Sequence, residues 1–147
     1  GHGAFVDCRH LQRIRLSESL TAIPDECFAG CDQLTHVEIP SSVASIGKDA
    51  FARCTSLQSV VIRERSTGGE DDDSGNTKKA MLKSIGPGSF HRCSSLTQFA
   101  MPQNKSSNAT NKNKHPISIG EQAFAGCPPE ASASFQHQST RNKRRRE

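Results

Sequence analysis

A repeat with a period of 23 residues runs through this chain and constrains its fold more than any other feature. Residues 34–54 show one unit, whose apolar and cysteine positions are Leu34, Val37, Ile39, Val43, Ile46, Phe51 and Cys54. The same pattern occurs 23 residues earlier as Leu11, Ile14, Leu16, Leu20, Ile23, Phe28 and Cys31. So many matches at one offset indicate a repeat architecture, in which each unit stacks on its neighbours.

Later copies keep the pattern after two insertions. Residues 82–101 repeat residues 43–62 at an offset of 39, which is the period plus 16. Residues 119–127 repeat residues 85–93 at an offset of 34, which is the period plus 11. The inserted loops are residues 64–81 and 103–115. Both begin just after a strand position of the unit, so we expect them to leave the solenoid along the same edge.

Each unit is predicted to form one strand and a return segment. Val37 and Ile39 alternate with polar residues, as a half-buried β-strand requires. The segment from Ile46 to Cys54 is expected to return the chain through a turn and one short helical turn. With 33% hydrophobic residues and no Trp or Tyr, the chain suits a thin stacked core. A shared glycine position indicates either a positive φ angle or close backbone packing at Gly47, Gly86 and Gly120.

The string from Ile39 to Ile62, IPSSVASIGKDAFARCTSLQSVVI, resembles the BspA-type leucine-rich repeat. The resemblance covers about residues 4–135. It implies an α/β fold, a right-handed leucine-rich-repeat solenoid with a parallel β-sheet on the concave face and short turns or helical turns on the convex side. Members of this family occur on bacterial surfaces and in single-celled eukaryotes, and the family is associated with adhesion and with binding host or matrix proteins.

The repeat domain is expected to span residues 1–135, with about five partial or full repeats, followed by a disordered basic tail at residues 136–147. The last unit is expected to cap the array with a more polar face, because Glu130 replaces the first leucine of its strand and Pro116 replaces an apolar residue. The net charge of +4 resides in residues 141–147. Nucleic acid is therefore not indicated as a partner, except through the tail.

The outward positions of the strands are the candidate binding site. They alternate with the buried positions, so they should form two columns on the concave sheet, with strands about 4.8 Å apart. We interpret them as a surface for a protein or glycan ligand, and the alternative is a solvated sheet face without a partner. The candidate partner-binding residues are Arg13, Arg15, His36, Glu38, Ser59 and Gln98. The same columns continue through Val61, Ala100, Ser132 and Ser134.

The two inserted loops carry opposite charge and two modification motifs. The first contains the acidic run Glu70–Asp73, and the second contains three lysines. One interpretation is that these opposite charges hold the two loops together, and the other is that both loops are mobile and solvated. We favour the second interpretation, because exposed ion pairs contribute little to stability. Asn104 and Asn108 each begin an N-glycosylation acceptor motif, which is typical of secreted proteins.

Five of the six cysteines share one repeat position, and are expected to stack in the core as small apolar side chains. They are Cys8, Cys31, Cys54, Cys93 and Cys127. The sixth, Cys27, falls at a position that holds a small residue in the other units. Together with Cys31 and His36 it supplies only three of the four ligands of a structural zinc site, so no metal site is predicted. The spacing does not require disulfides between units.

No motif of an enzyme or a cofactor site is present. The chain lacks a phosphate-binding loop, a dinucleotide fingerprint and a nucleophile elbow. The acidic run is not a calcium loop, because Met81 stands where a bidentate glutamate is needed. We therefore expect no catalytic residues, no cofactor and no small-molecule substrate. The sequence contains neither an apolar run long enough to cross a membrane nor a visible secretory signal.

These patterns predict a non-catalytic protein-binding or adhesion module that acts through its concave face. One alternative is an intracellular adaptor of the same fold, in which the basic tail is a nuclear address. Another is a structural segment of a longer repeat array, because the chain opens halfway through a unit at Gly1. The compartment stays open, although the family resemblance favours the cell surface or secretion.

Overall fold

The structure, a computed structural model, describes residues 1–63, 82–100 and 117–131. Within these ranges the chain forms eight short strands, arranged in two parallel sheets of four strands each. The strands are β1 (Arg13–Arg15), β2 (Ala22–Ile23), β3 (His36–Ile39), β4 (Ser45–Ile46), β5 (Ser59–Ile62), β6 (Ser84–Ile85), β7 (Gln98–Ala100) and β8 (Ser118–Ile119). The predicted α/β solenoid is thus the fold of this chain.

The longer sheet, called here the concave sheet, contains β1, β3, β5 and β7 in that order. Val37 pairs with Ile14 on one side and with Val60 on the other, and Val60 pairs in turn with Phe99. These partners occupy equivalent positions of successive units, as the sequence period predicted. Val37, Val60 and Phe99 are buried, so one face of every strand packs on the core and the other faces outward.

The shorter sheet contains β2, β4, β6 and β8, each two residues long. Its register joins Ile23 to Ile46, Ile46 to Ile85 and Ile85 to Ile119. The sequence prediction treated this part of the unit only as the start of a return turn, so the second ladder is a new feature. The first three isoleucines are buried, whereas Ile119 of the last unit is 41% exposed, which places it at the edge of the core.

Main-chain hydrogen bonds between turns form a further ladder on the convex side. The Phe28 N–H donates to the Ala50 carbonyl at 2.8 Å, and the Phe51 N–H donates to the Ser89 carbonyl at 2.7 Å. In the last described unit, the strand positions predicted at Ser132 and Ser134 lie outside the described residues, and residues 129–131, which include Glu130, are helical. The two prolines that precede it favour a helix start, because their φ angle is already helical.

The core consists of columns of equivalent residues from successive units, and one of these columns is made entirely of phenylalanine. The rings of Phe5, Phe28, Phe51, Phe90 and Phe124 stack with centroids 5.2–5.4 Å apart and interplanar angles of 4–14°. Phe99 from the concave sheet meets Phe90 and Phe124 edge-on, at 5.4 and 5.5 Å. Offset or edge-on ring contacts of this kind add to the free energy of burial. The stack therefore joins every described unit to the next.

The cysteine column lies beside the phenylalanines, as predicted, and all six cysteines are free. The Cys54 Sγ–H donates to the Phe28 carbonyl at 3.2 Å, and the Cys93 Sγ–H donates to the Phe51 carbonyl at 3.1 Å. Burial raises the pKa of Cys31 to about 11 and that of Cys54 to about 12. Thiols held protonated in this way are weak nucleophiles, so we interpret Cys31 and Cys54 as structural residues.

The shared glycines serve close packing, and the alternative prediction of a positive φ angle is wrong for them. A Cβ on Gly86 would lie 2.7 Å from the Gly47 carbonyl carbon, and a Cβ on Gly120 would lie 2.7 Å from that of Gly86. Real Cβ atoms do not approach this closely. Positive φ angles occur instead at two other positions of the unit, occupied for example by Asp49 at 52° and Arg53 at 61°.

Candidate binding face

The outward residues of the concave sheet lie in two columns, as the strand alternation predicted. The pairing of β1, β3, β5 and β7 aligns equivalent positions of four units. The first column is Arg13, His36, Ser59 and Gln98. The second column is Arg15, Glu38, Val61 and Ala100. The structure thus brings together all six candidate residues, and it places the charged ones at the β1 end of the sheet.

Four of the six candidates are exposed, namely Arg13, Arg15, Glu38 and Gln98. His36 and Ser59 are partly buried, because their side chains contact each other across the strands. The His36 Nδ1 and the Ser59 Oγ are joined by a hydrogen bond. The His36 Nε2 lies 3.6 Å from the Glu38 Oε1. These contacts hold the imidazole in place between the two columns.

Ser59, His36 and Glu38 follow the order of a catalytic triad, but their setting does not support catalysis. The contact from His36 to Glu38 is longer than a hydrogen bond, and the Glu38 side chain is 50% exposed. The Ser59 N–H donates to the Thr35 carbonyl at 3.4 Å within the sheet, so it is not free to stabilise an oxyanion. We interpret the three residues as a hydrogen-bonded network that fixes the surface.

Arg63 is a member of this face that the sequence analysis missed. Its Nε lies 3.6 Å from the Glu38 Oε2, and its Nη1 donates to the Glu18 Oε1 at 3.3 Å. The residue lies one position beyond β5, and continuing the alternation of Ser59 and Val61 by one more step points to it. Arg63 therefore compensates the charge of Glu38, which the sequence analysis treated as available for a partner.

Arg13 and Arg15 differ from Arg63 in their surroundings. Within the described residues, no carboxylate lies within 4.0 Å of either guanidinium group. Both groups border a depression of about 770 Å³ over the β1 end of the sheet. The residues that line it are Arg13, Ile14, Arg15, Thr35, His36, Glu38 and Arg63. The excess positive charge of the face is thus concentrated at its first strand.

This arrangement suits the recognition of an acidic macromolecule. Guanidinium groups bind carboxylates through two parallel hydrogen bonds, and such charge-assisted bonds are stronger than neutral ones. Apart from the His36 imidazole, the outward columns contain no aromatic side chain among the described residues of the sheet.

A second, smaller depression lies over the convex turns. Its volume is about 370 Å³, and charges of both signs line it. Its lining residues are Lys48, Asp49, Pro87, Gly88, His91, Glu121 and Gln122. The described ranges contain no group of three His, Cys, Asp or Glu side chains suited to a metal ion. No helix in them has the length and apolarity needed to cross a membrane.

Several candidate positions lie outside the described residues. They include the glycosylation motifs at Asn104 and Asn108, the outward positions Ser132 and Ser134, and the loops 64–81 and 103–115. The basic tail at residues 136–147 lies outside them too. The expectations for these segments and for the domain boundaries stay predictions.

Stacked units, a parallel sheet and an exposed ladder of polar columns define a leucine-rich-repeat solenoid. The family model described as BspA type Leucine rich repeat region, with six copies, matches residues 1–71 and 76–113. The match covers more than half of the chain, so the chain belongs to the BspA-type leucine-rich repeat family. No curated protein sequence matches the chain.

Two solved structures resemble this fold. One is a leucine rich cell surface protein from Faecalibacterium prausnitzii A2-165, with 31% identity and a TM-score of 0.57 over 72% of this chain. The other is a leucine-rich repeat protein from Bacteroides ovatus ATCC 8483, with 25% identity and a TM-score of 0.52 over 69% of this chain. The matched parts are 24% and 28% of those two chains, so this chain spans about a quarter of their length.

Proposed function

We propose that this chain is a non-catalytic protein-binding or adhesion module, whose ligand contacts the two outward columns of the concave sheet. The observation that carries the proposal is the depression bordered by Arg13 and Arg15, two exposed cations with no carboxylate nearby among the described residues. Because no carboxylate among the described residues engages these guanidinium groups, their N–H donors are available to a ligand. One of the similar structures is that of a leucine rich cell surface protein, which is consistent with an adhesive role.

The ligand is expected to be held at the β1 end and to extend along the columns. Arg13 and Arg15 supply the charge, and the network of His36 and Ser59 supplies a polar contact that is already ordered before binding. Gln98, at the other end of the first column, extends the contact over four strands. Preorganised side chains lose little entropy on association, which favours binding.

The test is a selection of binders from a random peptide library displayed on phage, with the native protein as the target. Each selected binder is then measured against a concave variant, Arg13→Ala with Arg15→Ala and Gln98→Ala. The matched control carries Arg53→Ala with Arg92→Ala, two exposed arginines of the convex turns. We expect most binders to lose at least about 10-fold in affinity on the concave variant only. Binders that respond mainly to the control variant would refute the proposal.

A further inference from the structure

Two exposed arginines, Arg53 and Arg92, occupy equivalent positions of neighbouring convex turns. Main-chain hydrogen bonds join the two turns, because the Arg53 N–H donates to the His91 carbonyl at 2.7 Å. The rings of Phe51 and Phe90, which belong to the same two turns, stack with centroids 5.4 Å apart. The backbone segments that carry the two guanidinium groups are therefore about 5 Å apart, as neighbouring parallel strands are.

The same position holds glycine in the unit before this pair and in the unit after it. The two glycines are Gly30, with a φ angle of 75°, and Gly126, with a φ angle of 78°. Arg53 and Arg92 have φ angles of 61° and 60°, a conformation that costs free energy in a residue with a Cβ atom. Strained backbone of this kind clusters at functional sites, so the arginine pair is a candidate site in the interior of the repeat array.

Side chains at this position extend over the unit that follows. A Cβ on Gly126 would lie 3.5 Å from the Arg92 Cγ, so the stem of Arg92 extends over the next turn. The Asp7 carboxylate lies against Gly30 in the same way. Arg53 has nearly the same φ angle as Arg92, so we expect its stem to extend over the turn of Arg92. Parallel stems keep the two guanidinium groups side by side.

The described part of the chain supplies no counter-charge to this pair. No carboxylate among the described residues lies within 4.0 Å of either guanidinium group. Two like charges at this separation repel each other. An anion that contacts both groups would remove this repulsion, whereas water would only weaken it.

A hydroxyl residue accompanies each arginine. The segments Arg53-Cys54-Thr55 and Arg92-Cys93-Ser94 share one pattern, in which the cysteine is buried and the residues on either side of it are exposed. The equivalent segments of the other units lack this pattern, and they are Asp7-Cys8-Arg9, Gly30-Cys31-Asp32 and Gly126-Cys127-Pro128. Guanidinium groups only donate hydrogen bonds, and hydroxyl groups are able to donate them. The two turns thus present a concentration of donors that suits an anion.

We propose that Arg53 and Arg92 together bind one tetrahedral oxyanion, a phosphate or sulfate group, on the convex side of the solenoid. A guanidinium group presents its N–H donors as a planar fork that pairs with two oxygens of one anion. A phosphate group has enough oxygens to accept from both forks, whereas a carboxylate has two oxygens and is filled by one fork. The site is separate from the concave columns, so the inference goes beyond the proposed function and does not rest on it.

The experiment is a titration of the full ¹⁵N-labelled chain, followed by the amide and the Nε–H signals of Arg53 and Arg92. The probes are inorganic phosphate, phenyl phosphate and acetate, at constant ionic strength and a pH of about 7.5, where a phosphate monoester is mostly doubly charged. We expect saturable shifts with a Kd on the order of 1 mM for phosphate, and an affinity for acetate at least about 10-fold lower. Tighter binding of phenyl phosphate than of phosphate would identify an ester as the source of the group, and equal affinities would identify the free anion.

Substitutions of one arginine at a time test whether the anion is shared. Arg53→Gln alone or Arg92→Gln alone should weaken phosphate binding by about 10-fold or more at the signals of the remaining arginine. The double change to lysine keeps the charge without the forks, and should weaken binding by about 5-fold or more. The control with Arg13→Gln and Arg15→Gln removes two charges elsewhere, and should change this affinity by less than about 2-fold. Gln122 already holds a φ angle of 55° in a convex turn, so the glutamine variants are expected to fold, which circular dichroism verifies.

Two outcomes would overturn the proposal. Shifts that grow linearly with phosphate and acetate alike would show that both arginines are merely solvated. An unchanged affinity at the remaining arginine in either single variant would show that no anion is shared. Phage-displayed peptides carry neither phosphate nor sulfate, so the convex arginines remain a control in the test of the proposed function, and the two proposals are judged independently.

Discussion

Truncation of one phenylalanine in the middle of the stack is expected to cost much of the stability of the fold. Phe51 is fully buried, and its ring stacks on Phe28 at 5.2 Å and on Phe90 at 5.4 Å. Phe51→Ala removes buried apolar area and both ring contacts, and it leaves a cavity between two units. Such substitutions cost about 3–5 kcal/mol, against a total of about 5–15 kcal/mol for a typical domain.

The matched control is Phe5→Ala at the end of the same stack. Phe5 is 42% exposed and has one stacked neighbour, Phe28 at 5.3 Å. Its truncation leaves no enclosed cavity, so we expect a loss of about 1–2 kcal/mol. Because the chain has no Trp or Tyr, far-UV circular dichroism in guanidinium chloride is the appropriate assay. Equal losses at both positions would refute the view that stability comes from contacts between neighbouring units.

Three further changes test the packing of single positions by the same unfolding assay. Gly86→Ala should destabilise the fold by about 1–3 kcal/mol, because its Cβ would meet the backbone of the preceding unit; an unchanged midpoint would contradict this. Arg53→Gly should stabilise it by about 0.5–1 kcal/mol, because Arg53 holds a φ angle of 61° that glycine adopts more easily; a loss of stability would show that the strain is compensated. Burial raises the pKa of the Cys54 thiol to about 12 in the folded chain, so the folded chain holds this proton more tightly than the unfolded chain does. The resulting stabilisation is complete below the pKa of the unfolded thiol, and it is lost progressively as the pH rises from there toward 12. In reductant, Cys54→Ala should therefore make the decline of the free energy of unfolding in this alkaline range shallower by about 1.4 kcal/mol per pH unit. An unchanged dependence of the free energy of unfolding on pH would contradict this.

The sequence predicted those parts of the fold that depend on repetition. The 23-residue offset between Val37 and Val60 is also the offset of their pairing in the sheet, because equivalent residues of stacked units must face each other. The strand alternation then placed Arg13 beside His36 and Arg15 beside Glu38. The period also placed Cys54 in the core, although the cysteine pattern does not reveal that its thiol donates to a carbonyl of the preceding unit.

Other features were not predictable, because they depend on backbone geometry or on side-chain reach. The left-handed turn positions hold glycine in some units, such as Gly88, and residues such as Glu26, Asp49 or Gln122 in others, so no single residue type marks them. The strands of the shorter sheet are two residues long, too short for an alternation to show. The pairing of Arg63 with Glu38 depends on the reach of a long side chain from the end of β5 to the neighbouring strand β3.

The role of the concave sheet is tested most directly by a ¹⁵N–¹H correlation spectrum of the labelled chain during titration with a phage-selected peptide. We expect the largest shifts in the amide signals of Arg13, Arg15, His36 and Ser59, with little change in the convex turn around Arg53. The largest shifts around Arg53, with those of the concave columns unchanged, would show that the binding face lies on the other side of the solenoid.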